Sequence, residues 1–190
     1  MTLRILSNFR DLTPNQRAAV LACFLGWTLD AFDFFIIVFV LKDIAKEFKA
    51  DIPSVTATLF LTLAMRPLGA FLFGIVADRF GRRPTLMIDI LFYSTIQFLS
   101  GFAPSLAALV ILRGLYGVAM GGEWGVGASL TMETIPVKTR GVISGLLQAG
   151  YPTGYLLAAV LYGTCYHFLG WRGMFMVGVL PALLVLFIRK

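Results

Sequence analysis

GIVADRFGRRP, residues 74–84, sets one aspartate and three arginines (Asp78, Arg79, Arg82, Arg83) between two almost wholly apolar stretches. Each stretch is near the length, about 20 residues, that crosses a bilayer as a helix. A short charged turn holding Gly81 between two such spans reads as a tight hairpin at a membrane surface, and its arginines mark that surface as cytoplasmic. Composition agrees. The chain has 190 residues, 58% of them hydrophobic and 14% charged, with a mean hydropathy of +0.85. A soluble core cannot conceal that much apolar side chain. The net charge is +6, but the Lys and Arg residues lie in short segments between apolar runs, which fits membrane orientation and not nucleic-acid binding. Cys23 and Cys165 lie in or at the edge of apolar runs and read as small hydrophobes, without disulfide or metal spacing. His167, the one histidine, cannot build a metal site alone.

Working outward from the turn, the pattern predicts an all-α membrane protein: a segment over 1–17, then a bundle over 18–190 with spans at about 18–40, 54–77, 85–102, 105–131, 141–168 and 171–188. Thr13-Pro14-Asn15-Gln16 has the spacing of a capping box ahead of the first span. That span is too long for a signal peptide and reads as a retained helix. With the N-terminus inside, the cytoplasmic segments hold Arg4, Arg10, Arg17, Arg79, Arg82, Arg83, Lys138, Arg140, Arg189 and Lys190; the outer ones hold Lys42, Lys46, Lys49 and Arg172. The bias predicts both termini in the cytoplasm. Gly114, Gly117, Gly121 and Gly125 form one face of the fourth span; Gly141/Gly145 and Gly150/Gly154/Ala158 do the same in the fifth, with a kink expected at Pro152.

Six charges remain within the spans: Asp30, Asp33, Arg66, Asp89, Arg113 and Glu123. Each costs about 2.5–3.5 kcal/mol to insert, so such residues mark a cavity or a pair. By depth, Asp30, Asp33 and Arg66 fall near the midplane, Arg113 in the outer half, and Asp89 and Glu123 near the cytoplasmic ends. Midplane carboxyls beside an arginine suit proton-coupled transport of an anion: the guanidinium grips a carboxylate, and a carboxyl withdrawn from water can exchange a proton near neutral pH. The alternatives are a purely structural Asp33–Arg66 pair and a counter-charge role for Asp89 and Glu123 beneath the basic turn. There is no Ser-His-Asp set, no HExxH, no phosphate loop and no CxxC, so an enzyme is not expected.

Gly74-x-x-x-Asp78-Arg79-x-Gly81-Arg82-Arg83 resembles the signature between helices two and three of the major facilitator superfamily. Arg113-x-x-x-Gly117-x-x-x-Gly121 resembles its helix-four motif. Glu133-x-x-Pro136-x-x-x-Arg140-Gly141 resembles its element between helices four and five. GWTLDAFDFF (26–35), AMRPLGA (64–70), MGGEWG (120–125) and GWRGMF (170–175) are similar to the sialate:proton symporter family, which includes lactate and other monocarboxylate permeases; aromatic-acid and general metabolite:proton symporters are near relatives. The resemblance implies proton-driven alternating access in a cell (inner) membrane, needing a proton gradient and no cofactor. It implies substrate contacts at Arg66, Arg113, Trp27 and Asp33, and proton handling by Asp30, Asp33 and Glu123. Gly74, Asp78, Arg79, Gly81, Arg82, Arg83, Asp89, Glu133 and Arg140 would form a gating latch at the cytoplasmic end. Family members have twelve or more helices, so the chain is expected to be the N-terminal half, with lipid, protons, an organic anion and a C-terminal six-helix half as partners. A non-transporting scaffold or sensor is the rival expectation.

Overall fold

The computed structural model describes residues 12–180, 182 and 183. Arg4 and Arg10, the last residues of the expected sixth span, and Arg189-Lys190 lie outside the described residues. The elements are α1 (Pro14–Glu47), α2 (Ile52–Phe80), α3 (Arg82–Ser100), α4 (Leu106–Thr134), a 3₁₀ turn (Val137–Thr139) and α5 (Arg140–Val177); no strand occurs among the described residues. By length and composition, α1, α2 and α4 are apolar enough to cross a membrane.

Local chemistry sets the helix ends. Thr13 caps α1: its hydroxyl accepts from the Gln16 N–H, and the Gln16 side chain accepts from the Thr13 N–H. This is the reciprocal box that satisfies two orphan donors. Gly81 closes α2 and opens α3 at φ 95°, a backbone state costly for any residue with a Cβ. Gly170, at φ 59° and ψ −178°, breaks α5 into two helical pieces, and the helix runs on through Pro152. The break therefore lies at the residue with positive φ and not at the proline.

The bundle is inside-out relative to a soluble protein. Phe60, Phe71, Ile75, Phe80, Ile111 and Leu156 are exposed, while Asp30, Asp33, Asp89, Arg113 and Glu123 are buried. Such an apolar exterior fits lipid. α4 packs against α1, α2 and α3; α5 packs against α1 and α3. Small residues make the close approaches. A methyl group on Gly117 or Gly121 would run into the backbone of Thr62 or Arg66, and one on Gly154 into that of Thr28 and Phe32. Gly125, Gly141 and Gly145 meet nothing within 4 Å. Their four-residue period put them on expected packing faces, but no helix among the described residues approaches those positions. Gly122 packs instead, against Phe73.

Candidate functional site

Helical periodicity aims three polar stripes at one another. α1 contributes Trp27, Asp30 and Asp33; α3 contributes Asp89, Tyr93, Gln97 and Ser100; α4 contributes Arg113, Tyr116, Met120 and Glu123. Within each stripe the steps are of about three or four residues, which keeps them on one face.

Farthest from the Gly81 turn lies Arg113, fully buried. Its Nη2 donates to Gln97 Oε1 (2.7 Å) and Ser100 Oγ (2.8 Å). Its guanidinium stands 4.4 Å from the Tyr116 ring centroid and 5.1 Å from that of Phe175. Gln97 Nε2 donates to the Asp33 carbonyl at 3.2 Å, and the Asp33 carboxyl is within electrostatic range of Arg113. Arg113 was expected at a substrate carboxylate. It is enclosed by two rings and two hydrogen bonds, and it is Arg113, not Arg66, that lies in electrostatic range of Asp33, against the alternative of a structural Asp33–Arg66 pair.

Arg66 belongs to the middle of the site, beside Asp30. Tyr116 Oη donates to the Asp30 carbonyl (3.1 Å) and lies 3.4 Å from Asp30 Oδ1. Arg66 is half-buried and within electrostatic range of Asp30. Its Nε and Nη2 donate to the Met120 thioether, and it stands 5.3 Å from the Phe34 ring and 5.7 Å from the Trp124 ring. Among the described residues it makes no ion pair. The thioether takes the Nε–Nη2 edge of the guanidinium, and two aromatic rings flank it. Around it stands an aromatic wall: Trp27 packs on Trp124 (4.9 Å), and Trp124 and Phe35 meet Tyr151 (6.2 and 5.3 Å). Trp27 is buried behind Trp124, so Trp124 is the ring nearer the open side.

Nearest the Gly81 turn are Glu123 and Asp89, both buried, with no hydrogen-bond partner on any carboxyl oxygen. Asp89 was expected among the charges of the basic turn; fully buried, it lies in electrostatic range of Asp30 and Glu123. The turn itself does form a tie. Arg82 Nη2 meets Asp78 Oδ1 at 2.9 Å and Glu133 Oε1 at 3.3 Å, joining α2, α3 and α4. Asp78 at a helix C-terminus and Arg82 at an N-terminus each oppose the local dipole, and pairing them offsets both penalties. Arg79 lies over its neighbour Phe80 (5.5 Å), Arg140 is exposed and outside the tie, and Gly74 meets nothing within 4 Å.

At the opposite end Arg172 makes a clamp unforeseen from the sequence. It meets Glu47 Oε1 at 2.6 Å and donates to the carbonyls of Gly101 and Ala103 at 3.0 Å, while Trp171 Nε1 donates to Glu47 Oε2. The Arg172 hydrogen bonds hold the Glu47 carboxyl below its usual range. Sequence reading also passed over Tyr93, Gln97, Ser100 and Tyr116. Their signal was available: polar side chains spaced by helical turns from Asp89 and Arg113 inside apolar runs.

The Major Facilitator Superfamily profile matches residues 23–189. The chain is 37% identical over 186 residues to Sialic acid transporter NanX of Escherichia coli (strain K12), covering 96% of this chain and 45% of that protein. It is 36% identical over 182 residues to the Probable 4-methylmuconolactone transporter of Cupriavidus pinatubonensis, covering 94% and 42%. The fold superposes on a partially occluded, inward-open structure of the xylose transporter XylE from E. coli with a TM-score of 0.79 at 22% identity, over 92% of this chain and 48% of that one. The chain thus spans about half the length of these proteins.

Proposed function

The chain belongs to the major facilitator superfamily and is an integral membrane protein, and on that footing we propose that it forms the first six-helix half of a proton-coupled symporter for a small organic anion. One observation carries the reading: a half-buried Arg66 without an ion-pair partner among the described residues, framed by Phe34 and Trp124 and within electrostatic range of the buried Asp30. In this reading Arg66 grips the substrate carboxylate against the aromatic wall. Asp30, Asp33 and Glu123 exchange the proton, and Arg113 compensates Asp33 when it is ionised. Removing the proton from Asp30 strengthens its hold on Arg66 and releases the anion; restoring it frees the guanidinium for the next one. Proton and anion are then coupled because the Asp30 carboxylate and the substrate compete for one guanidinium.

The arginines of the Gly81 turn put that end in the cytoplasm, with both termini inside and six spans crossing a bacterial inner membrane. A second six-helix half would supply the facing wall of the cavity. The relatives' names support an organic acid, with sialate or a monocarboxylate such as lactate as the first candidates and aromatic acids or other small metabolites as the next.

The test is uptake of labelled sialate and lactate by cells making the chain joined to a second half from a relative, with and without a pH gradient. Symport predicts uptake that falls when a protonophore collapses the gradient and that is lost in Arg66→Gln. Uptake indifferent to the gradient defeats the proton role; no uptake of any organic acid defeats the transport reading.

A further inference from the structure

The buried polar layer does not balance in charge. Asp30, Asp33, Asp89 and Glu123 are four carboxyls, and Arg66 and Arg113 are the two guanidiniums beside them. Among the described residues of this layer, carboxyls thus outnumber guanidiniums by two. Which two are in excess follows from who faces whom. Arg66 serves Asp30, and Arg113 serves Asp33. Glu123 has Asp30, Asp33 and Asp89 in electrostatic range, with Tyr93 and Tyr116 beside it from α3 and α4 and Cys23 from α1. Asp89 faces Asp30 and Glu123. The charged groups that act most on the pair among the described residues are themselves carboxyls.

All four carboxyl oxygens of this pair are shut off from water and without hydrogen-bond partners, as is the Tyr93 hydroxyl, which adjoins Glu123 from α3. Two uncompensated negative charges beside each other in an apolar interior cost far more than a bound cation or proton would. A metal ion is disfavoured by the geometry. No three carboxyl, histidine or cysteine groups among the described residues are arranged to hold one, whereas a carboxyl pair with a neighbouring hydroxyl is the chemistry of a shared proton.

We propose that Glu123, Asp89 and Tyr93 form a proton-holding site, distinct from Asp30 and Asp33 and lying between them and the Gly81 end of the bundle. A proton resides on the carboxyl pair, and Tyr93 donates its own O–H to whichever oxygen stays ionised. What the proton is for rests on the symport reading: it would pass between Asp30 and the cytoplasmic end. That it is there does not rest on transport at all. Asp89 thereby acquires a role beside Glu123 and not in the surface latch.

Infrared difference spectroscopy of the purified chain in lipid nanodiscs, titrated in pH without substrate, reads the proton directly. A protonated-carboxyl C=O band is expected at neutral pH, weakened in Glu123→Gln and in Asp89→Asn, and shifted in frequency by Tyr93→Phe. Gln and Asn mimic the neutral acids in shape, so both variants keep the fold. Should either fail to fold, ¹³C-glutamate labelling of the unaltered chain shifts the Glu123 part of the band. Absence of the band at neutral pH, or a band unaltered by both carboxamides, overturns the site. A band erased by sodium chloride but not by choline chloride makes it a sodium site and overturns it equally. An unshifted band in Tyr93→Phe contradicts the tyrosine's part. Uptake that ignores a pH gradient would sink symport while leaving this spectrum untouched, so the two failures are separable.

Discussion

Gly117→Ala tests the packing that places the site. The added Cβ would sit 2.8 Å from the Thr62 carbonyl carbon and Cα, where carbon atoms in contact stand about 3.5–4.0 Å apart. α2 and α4 must therefore separate by about 1 Å. Thr62 Oγ1, which donates to the Arg113 carbonyl at 3.0 Å, then loses an interhelical hydrogen bond worth about 0.6 kcal/mol. Forcing a methyl group into a packed interface costs about 1–3 kcal/mol, and the better helix propensity of alanine returns up to about 1 kcal/mol. The net loss is about 1–3 kcal/mol, or a melting temperature lower by roughly 2–10 °C for a domain of this size. Gly125→Ala is the internal control. Its Cβ meets nothing within 4 Å, so only the propensity gain of up to about 1 kcal/mol acts and its melting temperature stays or rises. Thermal unfolding of both variants in one detergent, followed by size-exclusion chromatography, compares them. Equal melting of Gly117→Ala and Gly125→Ala would refute the glycine-face packing and, with it, the registry of Arg66 against Met120.

Other consequences follow from the same geometry. Asp30→Asn with Asp33→Asn should abolish gradient-driven uptake by at least about tenfold while sparing anion exchange, because a carboxamide cannot release a proton; unchanged driven uptake would remove both residues from coupling. Asp78→Asn should loosen the Arg82 tie and shift the balance between inward- and outward-facing states, read by accessibility of a cysteine placed in the Gly81 turn; an unaltered pattern would leave the turn with orientation alone. The Glu47–Arg172 clamp should respond to acid. Because Arg172 lowers the Glu47 carboxyl in the folded state, its contribution is full above the unfolded value of about 4.3 and fades as pH falls through the folded one. The pair is partly exposed, so the change is small, at most about 1 kcal/mol, and Arg172→Ala should erase that part of the acid dependence of melting; an identical dependence in the variant would refute the clamp.

Much of this architecture was legible from local chemistry. Thr13 and Gln16 announce the cap of α1, and Gly81 between charged residues announces the turn. Gly170 ahead of Trp171 was the place where the expected fifth and sixth spans parted, and the chain takes a positive φ there. Periodicity names a face but not what stands opposite it. That is why Gly125, Gly141 and Gly145 resembled Gly117 and Gly121 in the sequence yet meet no neighbour. Depth along a helix is likewise one coordinate of three. It brought Asp30, Asp33 and Arg66 to one level, but only the rotation of α1 against α4 turns Asp33 toward Arg113. Glu47 and Arg172 were two loop charges in sequence, and folding across 125 residues makes them a pair.

The central claim is competition between the Asp30 carboxylate and an organic anion for Arg66, which a proton on Asp30 relieves. The most direct measurement is the pH of a weakly buffered suspension of de-energised cells making the chain joined to a second half, when sialate or lactate is added. The account predicts alkalinisation of the medium as anion and proton enter together, absent in Arg66→Gln. Anion entry with no pH change would contradict it.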